Sequence, residues 1–265
     1  MHSFSYFRPA SITEATNLLA GGEDRKLLAG GQTLLPTLKQ RLAHPTALVD
    51  LKSIPGFATI RHEADVVVIG ALTRHAEVAA SELVTGAIPA LAKLAGGIGD
   101  VQVRNRGTLG GSIANSDPAA DYPAGLLGLG ATIGTDRRAI PADDFFTGLF
   151  ETALQPDEIV TQVYFPIPKR AAYVKFANQA SRYAIAGVFV SDGPAGIRVA
   201  VTGAGPHAFR LPDFERALER SFAPASLAPL TVSPDGLNTD LHASAEYRAH
   251  LIGVLARRAI AAAIA

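Results

Sequence analysis

Two glycine pairs, each followed by hydroxyl-bearing residues, constrain this chain more than any other feature of its sequence. The first glycine segment, residues 29–34, reads Ala29-Gly30-Gly31-Gln32-Thr33-Leu34, and the second, residues 108–112, reads Thr108-Leu109-Gly110-Gly111-Ser112. Because glycine has no Cβ, the backbone N–H groups of such a pair can approach an anion closely. The two segments together predict a divided binding site for one diphosphate.

The first glycine segment is a weak signal by itself, because a glycine pair after a strand is more often an ordinary turn. It does not continue into Gly-Lys-Ser or Gly-Lys-Thr, so it is not a Walker loop, and it does not fit the Gly-x-Gly-x-x-Gly fingerprint. The run Gly128-Leu129-Gly130-Ala131-Thr132-Ile133-Gly134 approximates that fingerprint, but its third glycine is one residue late. Close helix packing explains these later glycines better.

The second glycine segment carries more information, since donors and acceptors are concentrated around it. The Thr108 and Ser112 hydroxyls suit a diphosphate, and Asn115, Asp117 and Asp121 offer acceptors for ribityl or ribose hydroxyls. Asp117 and Asp121 fit helix N-caps equally well. The segment therefore predicts a ligand with a diphosphate and a polyol, while both roles stay open for the two carboxylates.

Charge and composition narrow the class of partner. Lys and Arg together number 24, as do Asp and Glu, so no net charge attracts the protein to nucleic acid or to an anionic membrane. A hydrophobic content of 48% with 18% charged residues is typical of a soluble globular protein. A small molecule or another protein is the expected partner.

Cysteine is absent from the chain, so it contains no disulfide, no thiol nucleophile and no cysteine ligands for an iron–sulfur cluster. Any such redox centre has to lie on another chain. His62, His75 and His207 are not arranged with the spacing of metal ligands, and solvated or capping histidines are the default interpretation. We predict neither a metal site nor a catalytic side chain here.

The start of the chain gives no sign of export. Residues 1–9 lack a charged region followed by an apolar one, and no apolar stretch reaches membrane-spanning length. We therefore expect a cytoplasmic protein without a membrane span.

Strand and helix patterns alternate without a repeating βαβ unit, which predicts an α+β architecture. Ser11 and Glu14 indicate a helix start, and Pro and Gly residues punctuate the chain near residues 55 and 166–168. These signals predict parts at 1–55, 56–168 and 169–265. The last part shows strands at 173–177, 185–190 and 196–202, then helices at 212–219, 225–230 and from Ala245 onward.

Longer motifs are distributed along nearly the whole chain. They are Phe7-Arg8-Pro9, Leu48-Val49-Asp50-Leu51, Ile69-Gly70-Ala71, Val103-Arg104-Asn105-Arg106, Asp117-Pro118-Ala119-Ala120-Asp121-Tyr122-Pro123-Ala124, Phe145-Phe146, Tyr173-Val174-Lys175-Phe176 and Glu246-Tyr247-Arg248. With these motifs and both glycine segments, the chain resembles the medium, FAD-binding subunit of the molybdenum hydroxylases, which include carbon monoxide dehydrogenase and xanthine dehydrogenase. The resemblance implies a two-part, PCMH-type FAD-binding region followed by an α+β C-terminal domain with an antiparallel sheet.

The same resemblance implies a site and a function. FAD would be held by both glycine segments, with Lys175 and Tyr183 near the isoalloxazine. An iron–sulfur small subunit and a molybdopterin large subunit would complete a heterotrimer, and this chain would pass electrons from the iron–sulfur subunit to an external acceptor. Two alternatives stay open, a self-sufficient flavin oxidoreductase and a flavin-free scaffold subunit.

Overall fold

The N-terminal part of the chain forms a small parallel sheet with the strand order β1-β3-β2. The computed structural model describes all residues, Met1–Ala265. This part contains β1 (Ser5–Phe7), α1 (Ile12–Ala20), β2 (Arg25–Leu28), α2 (Leu34–Lys39) and β3 (Ala47–Asp50). The Ser11 side chain accepts the Glu14 amide at 3.1 Å, and Glu14 accepts the amide of Ala10 at 2.8 Å. The predicted helix start at Ser11 is therefore confirmed.

The middle part contains a five-stranded antiparallel sheet with the order β4-β5-β10-β6-β7, and a separate β8–β9 hairpin. The strands are β4 (Ile60–Glu63), β5 (Val66–Gly70), β6 (Thr132–Thr135), β7 (Ala139–Pro141), β8 (Phe146–Gly148), β9 (Glu151–Thr152) and β10 (Val160–Pro166). The helices are α3 (His75–Ala80), α4 (Glu82–Ala87), α5 (Pro89–Gly96), α6 (Val101–Arg104), α7 (Leu109–Asn115), α8 (Asp121–Leu129) and α9 (Ala142–Phe145).

The C-terminal part is an antiparallel sheet covered by helices, as predicted, but it has four strands and two α-helices where the sequence predicts three of each. Its elements are β11 (Arg170–Ala177), β12 (Ala184–Gly193), β13 (Gly196–Thr202), β14 (Phe209–Arg210), α10 (Pro212–Arg220) and α11 (Ala245–Ile264). The helix predicted at 225–230 is wrong, because only a 3₁₀ turn forms there, at Pro224–Leu227. The mixed fold is α+β.

The parts are joined by a shared hydrophobic core. One cluster contains Val49 of β3, Leu91 of α5 and Phe189 of β12, and all three side chains are buried. A second cluster fills the space between the C-terminal sheet and α10 and α11. The division at residues 55 and 168 stays a prediction, but the first cluster shows that the N-terminal part packs directly on the middle part. No helix is both long enough and apolar enough to cross a membrane.

Candidate cofactor-binding site

A cavity of about 700 Å³ is lined by residues from all three parts of the chain. Its size is within the range of about 300–1,000 Å³ that is usual for small-molecule sites. Of the predicted site residues, those that line it are Ala29, Gly30, Gly31, Gln32, Thr33, Leu34, Thr108, Gly110, Gly111, Ser112, Asn115, Asp117, Asp121 and Tyr183. Leu109 and Lys175 are the two predicted site residues outside this lining.

The first glycine segment supplies a continuous run of free backbone donors. The five N–H groups of residues 30–34 donate to no acceptor within the chain. Gly31 has a φ of +75°, a conformation that favours glycine, and it begins the turn into α2. Successive backbone N–H groups in such a turn make an anion-binding concavity. A role for this segment in binding a diphosphate stays a prediction.

The second glycine segment differs from the loop that the sequence suggests, because it forms the first turn of α7. The Thr108 hydroxyl is the N-cap and accepts the Gly111 amide at 3.2 Å. The amides of Leu109 and Gly110 donate to the carbonyls of Thr73 and Ala71, at 3.0 and 2.7 Å. These three amides are therefore committed within the fold, and the expectation that they hold a diphosphate is not supported by their hydrogen bonds.

Side chains further along α7 provide the polar groups that the capped turn does not. Ser112 and Asn115 line the cavity, and their side chains have no hydrogen-bond partner within the chain. Leu109 is fully buried in the core instead. In the second glycine segment, the hydroxyl of Ser112 therefore has no partner within the chain, whereas that of Thr108 accepts the Gly111 amide.

The glycines bring the two segments into contact. A Cβ placed on Gly30 would lie 2.3 Å from the carbonyl oxygen of Arg106, just before the second segment. A Cβ on Gly111 would lie 3.4 Å from the Cβ of Ala29. Both distances show that the segments, far apart in sequence, form adjacent walls of the same cavity.

The two carboxylates that line the cavity have different surroundings. Asp117 Oδ1 accepts the Ala119 amide at 2.8 Å, and burial raises the pKa of Asp117. Burial raises the pKa of Asp121 as well, although Lys175 and the Tyr173 hydroxyl oppose this shift. Neither aspartate is a helix N-cap, because α8 begins at Asp121 itself after Ala120. The N-cap alternative is therefore wrong for both residues.

Tyr183 and Lys175 are close in space but differ in access to the cavity. Tyr183 lines it with 47% of its surface exposed, and burial together with the charges of Asp117 and Asp121 raises its pKa. Lys175 is nearly buried, and its ammonium is 2.9 Å from Asp121 Oδ1. The Tyr183 side chain thus lines the cavity, whereas Lys175 is not among the lining residues.

His75 is a cavity residue that sequence reasoning missed. It is 4% exposed, its Nδ1 has no partner, and its ring lies 5.4 Å from that of Tyr122. Burial and the charge of Arg104 lower its pKa to about 4, so it is neutral at pH 7. The default interpretation as a solvated histidine is wrong here. No local signal marks His75, because the residues that cover it, Gly107 and Tyr122, come from distant segments.

The geometry describes a site for an extended anionic cofactor, with free amides for phosphate, polar groups for hydroxyls and an aromatic side chain at the wall. Residues 2–168 match the FAD-binding domain of molybdopterin dehydrogenases, and the chain belongs to this family. FAD is accordingly its cofactor. The residues present fit that group, because the unpartnered amides of residues 30–34 need an anion or water.

Relatives match along nearly the whole length. The chain is 38% identical to the nicotine 6-hydroxylase medium subunit of Paenarthrobacter nicotinovorans, over 96% of this chain and 95% of that protein. Among solved structures, carbon monoxide dehydrogenase from Hydrogenophaga pseudoflava matches with a TM-score of 0.90 and 35% identity, covering 99% and 98% of the two chains. Quinoline 2-oxidoreductase from Pseudomonas putida 86 matches with a TM-score of 0.89 and 30% identity, covering 99% and 97%. The chain is an oxidoreductase subunit of the medium, FAD-binding type found in molybdenum hydroxylases.

Proposed function

We propose that this chain accepts electrons from a partner iron–sulfur subunit and passes them to an external acceptor, through FAD held in the 700 Å³ cavity. A molybdopterin subunit would oxidise the substrate. The absence of cysteine supports this division of labour, because this chain has no thiolate ligands for an iron–sulfur cluster. When bound, the flavin supplies redox chemistry that amino-acid side chains lack.

The observation that carries the proposal is the run of free N–H groups at residues 30–34, beside the free side chains of Ser112 and Asn115. The amides would bind the diphosphate, and Ser112 and Asn115 would donate to its oxygens or to the polyol. Asp117 would accept hydrogen bonds from the polyol hydroxyls. These groups orient the cofactor and keep water away from the anion.

Two further cavity residues, His75 and Tyr183, would contact and cover the cofactor rather than transfer protons. The low pKa of His75, about 4, keeps its imidazole neutral at pH 7. Tyr183 keeps its proton at neutral pH, since its pKa is raised. Neither His75 nor Tyr183 is therefore poised for general acid or base catalysis near neutral pH, which is consistent with a role in contacting and covering the cofactor.

The direct test is a titration of the purified chain with FAD, in which binding is measured by the quenching of flavin fluorescence and by the visible spectrum. We expect saturable binding of one FAD per chain, and native co-purification with a partner that contains iron and one that contains molybdenum. A folded chain that binds no FAD would favour the scaffold alternative. Steady turnover of the isolated chain with NADH or a simple alcohol would contradict the electron-transfer assignment.

A further inference from the structure

A second, smaller cavity adjoins the first glycine segment. Its volume is about 220 Å³, and Ala29, Gly30 and Thr108 line both this cavity and the larger one. The volume is below the range of about 300–1,000 Å³ that is usual for small-molecule sites. The second cavity therefore suits one small chemical group rather than a nucleotide, and the proposed function gives it no role.

Three cationic side chains from separate segments line the second cavity. Lys52 lies in the turn that follows β3, Arg74 comes directly before α3, and Arg106 lies between α6 and α7. None of the three lines the larger cavity. The fold thus gathers positive charges that are distant in sequence around one concave surface.

These charges have no partner in the protein. Lys52, Arg74 and Arg106 form neither an ion pair nor a side-chain hydrogen bond within the chain. Glu77 is the single acidic residue of the lining, and its Oε2 accepts the Arg74 amide at 2.8 Å. The lining therefore has a formal charge of +2, and its guanidinium and ammonium donors are free for a ligand.

The rest of the lining strengthens the attraction of an anion. Ile54 and Phe57 line the second cavity and are buried, so the cations lie beside an apolar wall. A cleft that combines one sign of charge with walls of low dielectric constant focuses the electric field and attracts counter-ions. The second cavity has both properties.

We propose that the second cavity binds a phosphate group, held by Lys52, Arg74 and Arg106. A phosphate group has a charge of about −1.5 to −2 at pH 7 and three strong acceptor oxygens, so it matches the charge of the lining and the number of cations. The planar fork of arginine suits phosphate oxygens in particular. Because Lys52 follows β3 and both arginines belong to the middle part, a bound phosphate group joins the N-terminal part to the middle part.

The first test is isothermal titration calorimetry of the purified chain with inorganic phosphate, at constant ionic strength because salt screens exposed charges. Arg74→Gln and Arg106→Gln should each weaken phosphate binding at least fivefold, since each removes one of the three cations. The matched control is Arg258→Gln, which removes an exposed arginine of α11 that has no ion pair, and it should bind within twofold of wild type. Folded cavity variants that bind phosphate as tightly as wild type would overturn the proposal.

A second titration, with the chain saturated by FAD, separates the two cavities. Phosphate should still bind, with the same dependence on Arg74 and Arg106, because FAD fills the larger cavity only. If FAD abolishes phosphate binding, phosphate occupies the larger cavity and the proposal is refuted. If the chain binds no FAD, the proposed function fails, while the first titration still decides whether the phosphate site exists.

The chemistry and the source of the ligand are tested with related anions. Acetate, which has one negative charge, should bind at least fivefold more weakly than phosphate, and equal binding would contradict a phosphate site. Glycerol 3-phosphate distinguishes the two sources. Tighter binding of this ester than of inorganic phosphate would identify a phosphate monoester as the ligand, and tighter binding of inorganic phosphate would identify the free ion.

Discussion

Replacing Gly30 by alanine tests whether FAD binding depends on direct contact between the two glycine segments. An ideal Cβ at Gly30 would lie 2.3 Å from the carbonyl oxygen of Arg106 and 2.8 Å from the Cα of Gly107. Ordinary carbon–oxygen contacts are about 3.3 Å or longer. Because both neighbours are backbone atoms, no side chain can rotate away, and the segments have to separate by about 1 Å.

The magnitude follows from this displacement. Overpacking of a close contact typically costs about 1–3 kcal/mol, and a 1 Å gap already forfeits about half of the dispersion attraction between packed atoms. We expect the free energy of unfolding of the apoprotein to fall by about 1–3 kcal/mol. FAD should bind about tenfold more weakly or worse, since tenfold corresponds to about 1.4 kcal/mol and the amides of residues 30–34 no longer face the same partners.

The assay combines urea unfolding, followed by circular dichroism, with FAD titration. Gly86→Ala is the matched control, because a Cβ at Gly86, inside α4, meets nothing within 4 Å. It should leave FAD affinity unchanged and raise stability by up to about 1 kcal/mol, as alanine is the better helix former. A folded Gly30→Ala protein that binds FAD within twofold of wild type would refute the contact argument.

Three further predictions concern side chains in or near the site. Ser112→Ala and Asn115→Ala should each weaken FAD binding by roughly 2- to 10-fold, about one hydrogen bond, with little change in apoprotein stability because neither side chain has an internal partner; equal destabilisation of the apoprotein would contradict this. His75 has a folded pKa of about 4 against 6.5 ordinarily, so between these values the unfolded chain binds more protons and stability falls as pH falls. His75→Leu should remove about 3 kcal/mol of the loss in the free energy of unfolding between pH 7 and pH 4, measured by urea unfolding. Wild type is the comparison, because the opposite contribution of Asp117 is common to both proteins. If the variant loses as much stability between these pH values as wild type does, His75 is not buried and neutral. Arg248→Met should cost about 2–6 kcal/mol, because it removes the donor to the carbonyls of Ile185 and Gly203, and each buried acceptor left without a donor costs about 1–3 kcal/mol. A shift in the urea midpoint equivalent to less than about 1 kcal/mol, about that of an exposed ion pair, would contradict this prediction.

Sequence reasoning was most successful where structure is determined locally. The N-cap at Ser11 and the strand at 196–202 follow from patterns a few residues long, and the structure reproduces both. A residue whose environment comes from distant segments behaves differently. His75 is buried by Gly107 and Tyr122, and no pattern around His75 itself encodes that cover.

In the last helix, α11, sequence reasoning also fails for a residue whose surroundings come from a distant segment. The sequence predicts an apolar stripe that includes Tyr247, Leu251 and Leu255, starting after an N-cap at Ser244. The cap is confirmed, since the Ser244 hydroxyl accepts the Tyr247 amide at 3.3 Å. Tyr247 itself is 43% exposed, however, and packs on the edge of Phe176 instead. Which face of a helix is buried depends on the sheet that covers it, and β11 is far away in sequence.

The two glycine pairs have different physical roles, although the sequence predicts a diphosphate-binding role for both. The first pair leaves its amides free, whereas the second has its amides committed within α7. Gly110 is required for another reason, because a Cβ there would lie 2.6 Å from the Cβ of Ala71 and 2.8 Å from its carbonyl oxygen. A bulky residue such as valine at this position would therefore disturb the packing of α7 next to β5 before any cofactor arrives.

This division of roles makes cofactor binding a measure of how the N-terminal and middle parts pack together. The free amides belong to the N-terminal part, while the Arg106 carbonyl that fixes their position, and the Ser112 hydroxyl, belong to the middle part. A ligand that binds only when both parts are in contact stabilises that contact by its own binding free energy. FAD should consequently stabilise the interface between the first glycine segment and Arg106 against local opening. It should stabilise the C-terminal helices less, because the core cluster that they form contains none of these residues.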